Sequence, residues 1–112
     1  MSEPQGGSAE PLRPRTFAIL LALVSGPRHG YGLMQSLQEE PGEGWLLGPA
    51  TLYRTLKEME RAGMIATTDG PDEESGGPPR RYYQLTARGR AVGSAEAARM
   101  ASVAARWREV SA

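Results

Sequence analysis

The 112-residue chain carries 13 basic and 13 acidic residues, so its formal charge is zero and global charge singles out no class of partner. It has no cysteine and one histidine, which excludes disulfides, thiol catalysis and thiolate metal sites, and leaves no expected metal or cofactor. The length suits one domain with a modest core, and the longest apolar run, Phe17–Val24, is far too short to span a bilayer.

Residues 1–14, MSEPQGGSAEPLRP, have the composition of a disordered leader and not of a signal peptide, so a soluble cytoplasmic protein is expected. Thr16 can cap a first helix over Phe17–Ser25, closed by Gly26-Pro27. Its run FAILLALV has no polar face, and a helix apolar all round is covered all round. In so small a domain part of that cover must come from outside, and a second copy of the chain is a natural source. Arg28–Gly32 (RHGYG) reads as a turn into a second helix, about Gly30–Glu40, with Leu33, Met34 and Leu37 as its stripe. His29 is expected to be satisfied by backbone, Gly30 and Gly32 to permit close packing, and Tyr31 to be a core aromatic. Pro41-Gly42 breaks the helix, and Trp45 is expected to cover a core edge.

The next segment, LGPATLYRTLKEMERAGMI (Leu47–Ile65), has the clearest punctuation in the chain. Gly48 can act as N-cap with Pro49 at the first helical position, and Gly63 ends the helix in the left-handed conformation after Ala62. Leu52, Leu56 and Met59 form a buried stripe. The other face carries Thr51, Arg54 and Lys57, with Tyr53 beside them: short polar, aromatic and basic groups suited to entering a major groove. Alone, that pattern is equally a solvated charged face; the elements around it decide.

A strand over Met64–Thr68, a turn-rich loop over Asp69–Pro79 and a strand over Arg80–Leu85 make a hairpin with a long tip. Alternation turns Tyr83 and Leu85 inward and Arg80, Tyr82 and Gln84 outward. The tip is acidic (Asp72, Glu73, Glu74), so the base, with Arg80 and Arg81, is the part expected to meet phosphate. Thr86 caps a last helix, about Ala87–Val110. Val92 and the alanines line its first half. Met100, Val103, Trp107 and Val110 then follow heptad spacing, read as an intermolecular seam.

The order of elements gives a mainly α chain with a small β-hairpin: a winged helix-turn-helix over residues 15–86, its wing at about 64–85, and a dimerisation helix over 87–112. Candidate DNA-binding residues are Thr51, Tyr53, Arg54, Lys57, Arg80 and Arg81. Candidate dimer-interface residues are Phe17, Leu20, Leu21, Met100, Val103, Trp107 and Val110. At the two-fold axis an apolar space lined by Phe17, Met100 and Trp107 is the candidate site for a planar effector. The alternative is a winged helix that binds protein and dimerises without reading DNA. An enzyme is not expected, since a base, a nucleophile and an orienting group are needed together and one histidine in a glycine-rich turn does not supply them.

FAILLALVSGPRHGYGLMQSL, GPATLYRTLKEMERAGMI and PRRYYQLTARGRA, in this order, resemble the PadR family of bacterial transcriptional regulators over about residues 16–92. The resemblance implies a homodimeric winged helix-turn-helix repressor that dimerises through its C-terminal helix. It also implies release from DNA by small aromatic or amphipathic compounds. It places Thr51, Tyr53 and Arg54 at the DNA-reading end and Arg80 and Arg81 at the wing. The short tail after Thr86 is like that of members with one C-terminal helix, and no effector-site residue carries over.

Overall fold

A computed structural model of the chain describes residues 11–38, 48–69 and 81–112. Its elements are α1 (Pro14–Leu23), β1 (Arg28–His29), α2 (Gly30–Gln38), α3 (Pro49–Arg61), β2 (Ile65–Asp69), β3 (Arg81–Leu85) and α4 (Ala87–Ser111). The expected fold class holds, mainly helical with a small antiparallel sheet, but the sheet has three strands in the order β1-β3-β2.

Helix α1 starts earlier than Thr16. Pro14 opens it after an extended Arg13, because a proline at the first position gives up no hydrogen bond and already has helical φ. Leu12, inside the stretch expected to be a disordered leader, packs against the core, and residues 1–10 lie outside the described residues. Ala18, Ile19, Leu20, Ala22 and Leu23 are buried, yet Leu21 is 48% and Val24 43% exposed. One face of the all-apolar run is therefore uncovered in a single chain. The carbonyls at the end of α1 accept from arginines: Ala22 from Arg28 Nε at 2.8 Å and Val24 from Arg90 Nη2 at 3.4 Å.

Arg28 and His29, expected only as a turn, pair with Tyr83 and Tyr82 of β3. Two residues are too short for any alternation to show in a sequence. The His29 Nδ1 accepts the Gly32 N–H at 3.1 Å, closing the first turn of α2, and Leu33 and Leu37 are buried beneath it. The expected end of this helix, its Pro41-Gly42 break and Trp45 lie outside the described residues.

Helix α3 has both expected ends. Gly48 precedes Pro49 with an extended backbone, and Gly63 follows at φ +80°. The Met64 N–H donates to Met59 O and the Gly63 N–H to Glu60 O, both at 3.0 Å. This is a Schellman closure, and it needs a left-handed residue where glycine stands. Leu52, Leu56 and Met59 are buried, together with Thr55, whose hydroxyl is satisfied by Thr51 O at 2.8 Å.

In the hairpin Ile65 faces Leu85, Thr67 faces Tyr83 and Asp69 faces Arg81. Tyr83 and Leu85 pack on the core. Tyr82 instead meets the His29 ring edge-on at 5.5 Å, and Tyr31, expected in the core, is 67% exposed. The Thr86 hydroxyl accepts from the Gly89 N–H at 2.9 Å and donates to Gly63 O at 2.6 Å, tying the start of α4 to the end of α3. Gly89 lies against the Met64 carbonyl, leaving no room for a Cβ. Val92 reaches the core, and buried Glu96 takes two hydrogen bonds from Arg99, at 3.0 and 2.7 Å. Every residue after Arg99 is exposed.

Candidate nucleic-acid interface

An α-helix turns about 100° per residue, so Thr51, Arg54, Lys57 and Tyr53 span an arc of roughly 160° on α3, opposite Leu52, Thr55, Leu56 and Met59. Arg54, Lys57 and Tyr53 are exposed and Thr51 is half-buried. Among the described residues the one ion pair is Glu96–Arg99, and Arg54 and Lys57 on α3 take no part in it. The buried stripe holds α3 against the core while this arc faces outward, a geometry that leaves its side chains free to reach base edges.

Tyr53 leans toward α2. Its hydroxyl occupies the space a side chain on Gly30 would fill, which is the close packing expected of that glycine. Between the start of α2, α3 and β3 lies a cavity of about 340 Å³ lined by His29, Gly30, Tyr31, Tyr53, Arg81 and Tyr83. Burial pushes the Tyr83 phenol above its ordinary value, Tyr53 and Glu60 add to the shift, and Arg81 opposes it. The hydroxyl therefore stays protonated at neutral pH. Arg81 is exposed at the near end of β3, whereas Arg80 and the acidic tip lie outside the described residues. The sequence reading missed His29 and Tyr31 at this face because RHGYG carries no signal beyond a turn.

The residues assigned to dimerisation separate into two groups. Leu21, Met100, Val103, Trp107 and Val110 are exposed, and Phe17 is half-buried. Leu20 differs from the others: only 2% exposed, it packs inside its own chain against Gly93 of α4, at the floor of the space between α1 and α4. A groove of about 150 Å³ runs between α1 and α4, lined by Phe17, Leu21, Val24, Gly93 and Ala97 among others. Met100 and Trp107, grouped with Phe17 as effector contacts, do not line it in the single chain, because they stand beyond the last turn of α4 that α1 reaches.

Residues 19–95 match the family model of the transcriptional regulator PadR-like family. The chain belongs to this family. PadR-like proteins are transcription regulators and not enzymes. A PadR family transcription regulator from Clostridium difficile superposes with a TM-score of 0.73 at 23% identity, over 87% of this chain and 97% of that one, which shows the shared winged-helix fold. Bacillus subtilis PadR, solved in complex with operator DNA, superposes with a TM-score of 0.61 at 27% identity, over 73% of this chain and 45% of that one. A protein of 37.1 kDa in a Streptomyces fradiae transposon is 34% identical over 88 residues, 79% of this chain. The chain spans only 23% of that relative's length. Among the described residues no helix is long and apolar enough to cross a membrane.

Proposed function

We propose that this PadR-like chain is a homodimeric, cytoplasmic DNA-binding regulator that represses transcription until a small aromatic or amphipathic compound releases it. The observation that carries the reading is α3. Its Thr51, Arg54 and Lys57 face outward from a core-anchored stripe, with Arg81 of the wing exposed nearby. Thr51, Tyr53, Arg54 and Lys57 serve the major groove, and Arg80 and Arg81 serve phosphates beside it. The structure of Bacillus subtilis PadR with operator DNA supports the same use of the fold. Dimerisation follows from the uncovered apolar faces. Leu21 and Val24 on α1, and Met100, Val103, Trp107 and Val110 on α4, make more exposed apolar surface than a soluble monomer of this size usually carries. Two copies related by a two-fold axis cover it and set two α3 helices about 34–36 Å apart, one turn of DNA. The groove between α1 and α4, with Phe17 in its wall, is the half-site for the effector, and a second copy's α4 can add the apolar wall that one chain lacks.

The test is fluorescence anisotropy of the full chain with a duplex from its own upstream region and a random duplex, over a salt series. Tighter binding to the upstream duplex that survives physiological salt supports the reading. Equal, salt-erased binding to both would sink it.

A further inference from the structure

We propose that the cavity between the start of α2, α3 and β3 seats one phosphate of the DNA backbone, with Tyr31 and Arg81 donating to it together. The inference rests on the DNA-binding reading and deepens it, because Tyr31 belongs neither to the groove-facing arc of α3 nor to the wing.

The lining groups select an anion. Arg81 brings a guanidinium, and Tyr31, Tyr53 and Tyr83 bring hydroxyls; no described lining residue is acidic, and the carboxylates near it are Glu60, whose charge reaches Tyr83, and Asp69, across the sheet from Arg81. The His29 ring adds a donor, not an acceptor. Its Nδ1 accepts the Gly32 N–H, so the neutral imidazole must carry its hydrogen on Nε2. Tyr83, its phenol pushed upward by burial, stays protonated and does not compete as a second anion.

Tyr31 is the residue with no other task. It is 67% exposed, so the core does not need it, and its ring lies alongside that of His29. It stacks on His29 with ring centroids 6.5 Å apart and planes 8° from parallel, and His29 is in turn held by Gly32 on one side and the Tyr82 edge on another. A ring that already stacks on a neighbour has less side-chain freedom to lose on binding, which favours affinity. The position is also right for backbone. Tyr53 stands in the first half of α3, and its hydroxyl closes the cavity against Gly30. A helix in the major groove has a phosphate strand along each flank, since the groove is about 12 Å wide. The cavity lies on such a flank, between the helix that would enter the groove and the strand that leads to the wing.

The test uses the full chain with Y31F, R81A, the double variant and R54A, titrated with a random and an upstream duplex over a salt series. Y31F should weaken binding to both duplexes alike, about tenfold per half-site, as expected for a hydrogen bond to a charged group. Its salt slope should match the parent's, because the lost donor is uncharged. R81A should weaken both and reduce the slope by about one per half-site. The double variant should lose less than the product of the single losses, because both groups serve one phosphate. Y31F that binds like the parent, or single losses that multiply in full, overturns the shared seat. If the parent binds and R54A lowers its preference while Y31F changes nothing, this inference alone fails. If the parent binds neither duplex, the DNA-binding reading fails with it.

Discussion

A methyl group added at Gly89 would land on the carbonyl oxygen of Met64, a backbone atom that cannot move without shifting the start of β2. At Gly30 the obstacle is the tip of the Tyr53 side chain, which can swing away. G89A should therefore lose about 1–3 kcal/mol of stability in urea unfolding, as overpacked sites do, while G30A loses clearly less. Equal losses would mean that Tyr53 is as fixed as backbone. Glu96 is the other informative residue. Hydrogen bonds from Arg99 hold its carboxyl below the usual carboxylate value. Desolvation opposes them, and the Arg99 charge and the Leu12 backbone add to the lowering. A folded value below the unfolded one means stability that is fully present above the unfolded value and lost as pH falls through the folded one. The Tm gap between the parent and E96Q should be widest near neutral pH and should close only as pH falls below the ordinary carboxylate range, through the depressed folded value. A constant gap across that range would show that the charge of Glu96 adds nothing. The sequence reading passed over Glu96, because nothing local marks that this carboxylate is buried beside Leu12.

Helix α3 was legible from end to end because its boundary signals are local: glycine then proline at one end, and a left-handed glycine after Ala62 at the other. Its two faces separate by period alone, so Arg54 can be removed without touching Leu52 or Leu56. R54A should keep the parent's Tm and lose roughly 1–3 kcal/mol of specific over non-specific binding, the discrimination of one guanine contact. Unchanged discrimination would move the reading face elsewhere on the helix. The start of α1 misled because two signals compete there. Thr16 is a good cap, but Pro14 at the first position extends the helix past it. Strand β1 escaped because its pairing with Tyr82 and Tyr83 is a tertiary fact with no local trace.

For the whole molecule the decisive feature is that α4 outruns the domain it starts on. Twenty-five residues extend about 37 Å at 1.5 Å each, and the chain measures 57 Å along its longest axis. Its first half belongs to the fold through Gly89, Val92 and Glu96, so cutting the chain at Arg90 would damage the core along with any interface. A chain ending at Arg99 is the cleaner probe, since it keeps the Glu96–Arg99 pair and loses only the seam from Met100 onward. It should sediment as a monomer at tens of micromolar, where the proposed function expects the full chain to sediment as a dimer. It should also bind the upstream duplex far more weakly, because two linked half-sites bind much more tightly than one. A truncated chain that remains dimeric would shift the interface to α1 and the first half of α4.

The sequence by itself determined what short-range rules govern: the four helices of the described residues, both ends of α3, the Thr86 cap of α4, the hairpin and its inward Tyr83 and Leu85. Caps, turns and hydrophobic period act within a few residues, so they are written locally. Only the tertiary structure decided that Leu20 faces its own chain, that Phe17 lies apart from Met100 and Trp107, and that Tyr31 stands exposed beside Tyr53 and Arg81. Each depends on the angle at which one element crosses another. That angle is fixed by close packing across long sequence separations, at Gly89 on Met64 and Gly30 on Tyr53, where no local pattern marks which residues will meet.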